Sequence, residues 1–354
     1  MRFAIIGAGV IGRTHAAAIR AVDPPARVAL IVDAIPERAR ELADTHGAQH
    51  SVSATDAFAR DDIDAVAICT PSGEHADLAV AALDAGKHVV IEKPIDVTVD
   101  AALRVAKAQE RAARSVTVIS QHRFDPASQL VHRAVREGRF GRLTSGVASI
   151  AWWRSQSYYD SGAWRGSRAL DGGGALMNQG IHTIDLLVWM LGEPVEVYAR
   201  TACLAHERIE VEDTAVATIQ FASGALGVVH GTTAAYPGLT ARLHVHGDRG
   251  SAVIDDDRLV YFHAATGDAN SGADPDAATN QATQLLGEQK SAPSAGSDPA
   301  ALSEAHTDQY HDFLDAIANH RPPLVTVHEA IRTLAVVRAI YDSADTGQPT
   351  PVEC

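Results

Sequence analysis

The chain has 354 residues, a formal net charge of −14, 46% hydrophobic and 21% charged residues. That length suggests two domains, each large enough to bury a core, and the composition is ordinary for a soluble globular protein. The acidic balance argues against a nucleic-acid partner, because phosphate backbones call for positive surface. No apolar run approaches the roughly 20 residues needed to cross a bilayer, so no membrane partner is expected either.

The N-terminus lacks a signal-peptide layout. The three cysteines, Cys69, Cys203 and Cys354, show no paired spacing. Reduced thiols and a cytoplasmic location are therefore expected.

Residues 2–6 (RFAII) read as a buried strand that runs into Gly7-Ala8-Gly9-Val10-Ile11-Gly12, and residues 13–22 have helical composition. Strand, GxGxxG and helix in that order form the context of a dinucleotide fingerprint. Gly7 permits the tight turn, Gly9 lets backbone approach a pyrophosphate, and Gly12 lets the helix pack on the strand. The phosphates would then meet the free N–H groups at the helix start, at Val10 and Ile11. A second strand, 27–32, ends in Asp33, where a carboxylate suits the ribose hydroxyls and repels a 2′-phosphate. NAD is favoured over NADP, a preference that Arg38 and Arg40 temper.

Further strands at 65–69, 88–91 and 116–119 alternate with helical stretches at 75–85 and 98–113. This is the pattern of a doubly wound parallel sheet, an α/β Rossmann domain over 1–121, with ligands beyond the carboxyl ends of its strands. Thr70-Pro71-Ser72 and Glu92-Lys93-Pro94 sit at two of those ends. His75 reads equally as a helix-start residue near the cofactor or as a surface residue. Lys93 could hydrogen-bond a substrate oxygen, and Pro94 could hold a cis bond that aims it inward. Alternatively, Lys93 is a surface lysine beside a turn.

Beyond residue 121 the pattern changes. Residues 121–138 look helical, and seven β-rich segments follow at 143–153, 195–204, 213–221, 225–233, 240–247, 251–255 and 258–263. Ser223-Gly224 and Asp248-Arg249-Gly250 read as hairpin turns. An α+β domain over 122–354 with a mostly antiparallel sheet fits. Residues 264–305, rich in Ala, Ser, Gly, Asp and Pro, read as a long flexible inserted loop. His244 and His246 lie on one face of a strand without Cys or carboxylate partners, and no metal site is expected.

The stretch GGGALMNQGIHTIDLL (172–187) reads as three glycines before a widely apolar, buried helix over 175–191. Asn178, His182, Asp185 and Trp189, spaced 4, 3 and 4 apart, form one stripe on it. A polar stripe on a buried helix meets a partner group or lines a cavity. Periodicity alone leaves His182 open between a catalyst and a hydrogen-bonded core histidine. With Lys93 and a nicotinamide fold in the same chain, the catalytic reading is preferred. The triple glycine is expected to let the chain pass beneath a bound cofactor.

GAGVIG near the start, TPSGEH at 70–75, AGKHVVIEKP at 85–94 and GGGALMNQGIHTIDLL at 172–187 together resemble the glucose–fructose oxidoreductase, inositol dehydrogenase and MocA family. The resemblance covers nearly the whole chain, to the helix-like 328–344. It implies a sugar or cyclitol substrate and a homodimer or homotetramer formed through the open face of the second sheet. It also implies that Lys93, Asn178 and His182 occupy the positions of a Lys–Asp–His trio. Asn178 departs from that trio, since an amide orients but cannot relay a proton. The Asn-Gln pair is similar to members acting on nucleotide-linked sugars, including UDP-N-acetylglucosamine 3-dehydrogenases.

The expected activity is hydride transfer between a ring carbon and NAD, with His182 as base and Lys93 polarising the oxygen. A non-catalytic NAD-binding sensor is the reading from another class. Arg123, Trp153, Tyr159, Trp164 and Arg165 are candidates for the substrate wall, each with ordinary packing as its alternative.

Overall fold

The computed structural model describes residues 1–23, 25–162, 164–265, 279–287 and 303–354. The chain divides into two compact units. The first comprises Met1–Gln121, Arg168–Gly172 and the described residues from 303 to Leu334. The second comprises His122–Ser167, the described residues from Gly173 to 287, and Ala335–Cys354.

The first unit follows β1 (Arg2–Ile6), α1 (Val10–Ala21), β2 (Arg27–Val32), α2 (Pro36–His46), β3 (Gln49–Ser51), α3 (Ala54–Phe58), β4 (Ala65–Ile68), α4 (His75–Asp84), β5 (His88–Ile91), α5 (Val99–Ala112) and β6 (Val116–Val118). All pairings are parallel, in the order β3-β2-β1-β4-β5-β6. This is the doubly wound Rossmann order, and its crevice opens where the strand order reverses, between β1 and β4. β1, β4 and β5 are buried almost throughout because helices cover both faces.

A later helix, Ser303–Ala318, completes this unit. Its Tyr310 and Phe313 fill the same core as Phe3, Ile5, Ile19 and Ile31. Gln309 satisfies the edge at β6, donating to Thr117 Oγ1 and the Val118 carbonyl and accepting from Ser120 N–H.

The second unit holds α6 (Pro126–Arg136), β7 (Leu143–Ala151), α7 (Gln156–Tyr159), a π-helical turn (Ala175–Gly180), α8 (Ile181–Leu191), β8 (Pro194–Ala202), β9 (Thr214–Phe221), β10 (Leu226–Thr232), β11 (Ala241–Gly247), β12 (Gly250–Asp255), β13 (Arg258–Ala264), α9 (Ala282–Leu286) and β14 (Thr350–Pro351). Its eight-stranded sheet runs β13-β12-β11-β7-β10-β9-β8-β14, antiparallel except where β7 meets β10. Alternation along β9 buries Ala215, Ala217, Ile219 and Phe221 and exposes the opposite face. Gly146 on β7 leaves room for Leu187 and Leu191 of α8, so the helix lies close on the sheet.

Three expectations change. The helix expected over 121–138 is a 3₁₀ turn, Gln121–Arg123, and then α6, because Pro126 suits only the first turn of a helix. The helix expected over 175–191 is π-helical up to Gly180 and α-helical only afterwards. Of the loop expected at 264–305, residues 266–278 and 288–302 lie outside the described residues. The described remainder includes α9 and the start of the Ser303–Ala318 helix. Among the described residues, no helix is long and apolar enough to cross a membrane.

Candidate active site

In the first unit, Gly7 takes φ +104° as β1 ends, and a Cβ there would strike the Cys69 carbonyl oxygen at 2.4 Å. A Cβ at Gly12 would lie 2.0 Å from the Gly7 oxygen, so both positions require glycine for packing. Gly9 differs, because a Cβ there would meet nothing within 4 Å. Space is therefore kept open at the start of α1, where Val10 is 67% exposed. The first N–H groups of a helix have no partner within it, so Val10, Ile11 and Gly12 offer donors facing that space. Asp33 follows β2 and accepts from Ala8 N–H and Ile35 N–H, both at 2.8 Å, one on each oxygen. Each oxygen keeps a further lone pair. An open glycine, free donors and a half-buried carboxylate fit the pyrophosphate and ribose of NAD.

His75 is buried, and its ring nitrogens lie 2.7 Å from the Pro94 oxygen and 2.9 Å from the Thr70 oxygen. It joins the loops that follow β4 and β5, and so sets the shape of the Thr70-Pro71 and Glu92-Lys93 segments. The Lys93–Pro94 peptide is cis. Lys93 is half-buried, and its backbone N–H donates to Glu92 Oε2 at 3.0 Å.

Glu92 is buried, with Oε1 2.9 Å from His15 Nε2 and 3.5 Å from His306 Nε2. Tyr310 stands 2.6 Å from His15 Nδ1. Burial alone would raise the Glu92 carboxyl, but hydrogen bonds from His15 and His306 hold it well below its ordinary value. Burial holds His15 below its own range despite Glu92. A neutral His15 then donates from Nε2 to the carboxylate and accepts from the tyrosine hydroxyl.

In the second unit, the glycines at 173 and 174 meet protein at close range. A Cβ at Gly173 would lie 2.1 Å from the Tyr341 hydroxyl, and one at Gly174 would lie 1.8 Å from the Glu212 oxygen. Tight packing against their own unit therefore requires glycine at both positions. In the first unit, Gly172 (φ +79°) meets Val97 in the same way.

The buried Glu212 carboxylate caps the π-helical turn, accepting from Gly174 N–H, Leu176 N–H and the Tyr341 hydroxyl. Burial raises its carboxyl above the ordinary value against those bonds. π-Helical turns are rare and concentrate at functional sites. This one carries Asn178 and Gln179.

The expected stripe divides along α8. Asp185 forks onto Arg123, Nε–Oδ2 and Nη2–Oδ1 both at 2.7 Å, and Arg123 is 1% exposed. Trp189 stacks on His132 at 3.7 Å with Arg123 over its ring. Arg123 thus holds α8 through a buried ion pair, the packing alternative of the sequence reading. His182 faces elsewhere. It lines a pocket with His122, Trp152, Thr183, Asp256 and Asp257, and its ring meets the His122 ring edge-to-face at 5.2 Å.

Arg165 lies over the rings of Trp164 (4.5 Å) and Tyr158 (4.3 Å) and donates to the Tyr158 hydroxyl. Gln179 joins this group, donating to the Tyr158 hydroxyl and accepting from Arg154. Tyr159 is interior, 4% exposed, with its hydroxyl on Thr233. Trp153 meets Tyr236 edge-to-face. His244 and His246 are neighbours on β11, ring centroids 5.8 Å apart.

Sequence reasoning met Gln179 only as half of the Asn-Gln pair, and missed Tyr158, Arg154, Glu212 and the His122 group. Two adjacent acids, Asp256-Asp257, between two β-rich segments were the available signal for the last of these.

Compared with known families, residues 1–120 match the oxidoreductase family, NAD-binding Rossmann fold, and residues 128–253 match the GFO/IDH/MocA C-terminal domain. The chain is 32% identical over 273 residues to inositol 2-dehydrogenase of Rhizobium meliloti, covering 76% of this chain and 79% of that protein. It is 29% identical over 297 residues to levoglucosan dehydrogenase of Pseudarthrobacter phenanthrenivorans, covering 74% of this chain and 75% of that protein. Among solved structures, the WlbA dehydrogenase from Bordetella pertussis in complex with NADH and UDP-GlcNAcA is similar, with a TM-score of 0.85 and 32% identity. That match covers 100% of this chain and 99% of the other.

Proposed function

From a chain that belongs to the GFO/IDH/MocA family of NAD-binding oxidoreductases, we propose a dehydrogenase that oxidises a ring CH–OH group of a sugar, sugar derivative or cyclitol. The carrying observation is His182, half-buried and lining a pocket just after a capped π-helical turn. Bound NAD supplies the hydride acceptor, held by Gly7, Gly9, the α1 start and Asp33. His182 takes the hydroxyl proton as the carbon is oxidised, Asn178 orients the substrate or the ring, and the Lys93 ammonium stabilises charge on the oxygen. His182→Ala should lower turnover about 10²–10⁴-fold, the scale of a lost general base, with calorimetric NAD affinity unchanged. A near-normal rate would return His182 to a core role. The substrate comes from a screen of sugars and cyclitols read as NADH absorbance.

Nucleotide-linked sugars are the second reading. It is supported by the full-length similarity to a dehydrogenase crystallised with UDP-GlcNAcA and by the Arg154, Arg165 and Tyr158 group around Gln179. Turnover of UDP-sugars in the same screen, with free sugars inert, selects it. The outer face of the second sheet exposes Tyr198, Val216, Leu226 and Val228. We read it as the contact surface of a homodimer or homotetramer, which light scattering checks.

A further inference from the structure

The pocket beside His182 carries an acidic turn that the proposed reaction does not use. β12 and β13 are joined by Asp256 and Asp257, both left-handed, with φ of 52° and 61°. A two-residue hairpin of this shape ordinarily takes Asn-Gly or Asp-Gly. Two aspartates there are an unfavourable backbone choice, and such outliers gather where function over-determines the chain.

The turn delivers the Asp257 carboxylate to His122 Nδ1 at 3.0 Å, and Asp125, at the start of α6, reaches the same nitrogen at 2.8 Å. The His122 ring in turn lies against the His182 ring. Among the described residues, His122, His182, Asp256 and Asp257 are the titratable groups that line the pocket, and Asp125 stands behind His122. On the helix of His182, the Asp185 carboxylate is forked onto Arg123.

Left to themselves, carboxylates at this pocket would favour the protonated form of His182 and take it out of use as a base. We propose that His122 is a positioning residue for His182. Seated as a cation between Asp125 and Asp257, it screens His182 from both carboxylates and so favours the neutral imidazole that can accept a proton. Burial lowers the His122 pKa, but the charge of Asp257 and hydrogen bonds to both acids more than offset it. His122 is held well above its ordinary value as a result. The inference rests on His182 being the base, but its test does not depend on turnover.

Diethyl pyrocarbonate modifies neutral imidazole, so the pH midpoint of His182 modification in the full-length protein, followed by peptide mass spectrometry, reports its protonation directly. In H122Q the midpoint should rise by about one pH unit, since a lost cation and two unscreened carboxylates act in the same direction. H122R restores a cation that can fork onto both acids and should return the midpoint to that of the unmutated protein. H122Q/D257N, lacking one carboxylate, should show a smaller rise. If glutamine disturbs the fold, as read by thermal denaturation, H122N gives the same comparison. An unmoved midpoint in the neutral variants overturns the proposal. Retained turnover in His182→Ala would instead overturn the assignment of the base.

Discussion

The first unit sets two histidines, His15 and His306, against one carboxylate, Glu92, with every group buried. The second sets a half-buried histidine, His122, against two, Asp125 and Asp257. The ingredients match, and the outcomes are opposite. Around His15, desolvation outweighs the single acid and the ring stays neutral, its hydrogen bond holding Glu92 as the charged partner. Around His122, two acids outweigh desolvation and the ring is driven toward its cation. The number of carboxylates and the depth of burial decide which partner carries the charge. The first cluster is suited to fixing a backbone, since Glu92 Oε2 receives the Lys93 N–H. The second is suited to setting the field beside the His182 ring.

Removing one acid from each cluster should separate the two most sharply. Glu92→Leu takes the acceptor from two buried histidines, His15 and His306, and from the half-buried Lys93 N–H. At about 1–3 kcal/mol for each buried donor left unmade, the loss is roughly 2–6 kcal/mol, measurable by urea denaturation. Asp125→Asn, in a partly solvated cluster that keeps Asp257, should cost about 1 kcal/mol or less. Equal losses at the two sites would break the contrast.

The pH dependence of stability sharpens it further. His15 is held below 6.5 in the folded chain, so its contribution is present above that pH and is lost as pH falls from there through the folded value. His122 is held above 6.5, so its contribution is complete below that pH and is lost as pH rises through the folded value. Denaturation midpoints of His15→Gln should therefore flatten the acid side of the stability curve, and those of His122→Gln the alkaline side. The same side flattening in both variants would contradict the assignment.

The smallest effect concerns the turn. Asp256→Asn places a residue that tolerates left-handed backbone at φ 52°. It should raise stability slightly, by less than about 1 kcal/mol, seen as a small rise in Tm.

The nucleotide half was legible in the sequence because its signals are local. β1, the glycines and α1 lie within the first 21 residues, Asp33 follows β2, and the cis Lys93–Pro94 bond falls where the proline suggested it. The second site was legible only in its histidine. An apolar pattern over 175–191 cannot distinguish a π-helical turn from an α-helix, and the carboxylate that caps the turn, Glu212, lies 36 residues beyond Leu176. His122 and Asp257 are joined only by the folding of the sheet, as are His15 and Tyr310 at a separation of 295 residues. Short polar strands such as β3 (QHS) carry no periodicity to detect.

That last separation bears on how the protein is made. The Rossmann core closes only when Tyr310 and Phe313 enter it beside Phe3 and Ile19, and edge strand β6 waits for Gln309. At about 5–20 residues per second, a ribosome needs roughly 10–40 s to travel the ~190 residues between the end of the first sheet and Tyr310. For that interval the nascent first unit lacks part of its core, and His15 lacks its tyrosine. A fragment ending at residue 121 would keep that deficit permanently, so the Rossmann strands are a folding unit only in the company of a helix made well over a hundred residues later.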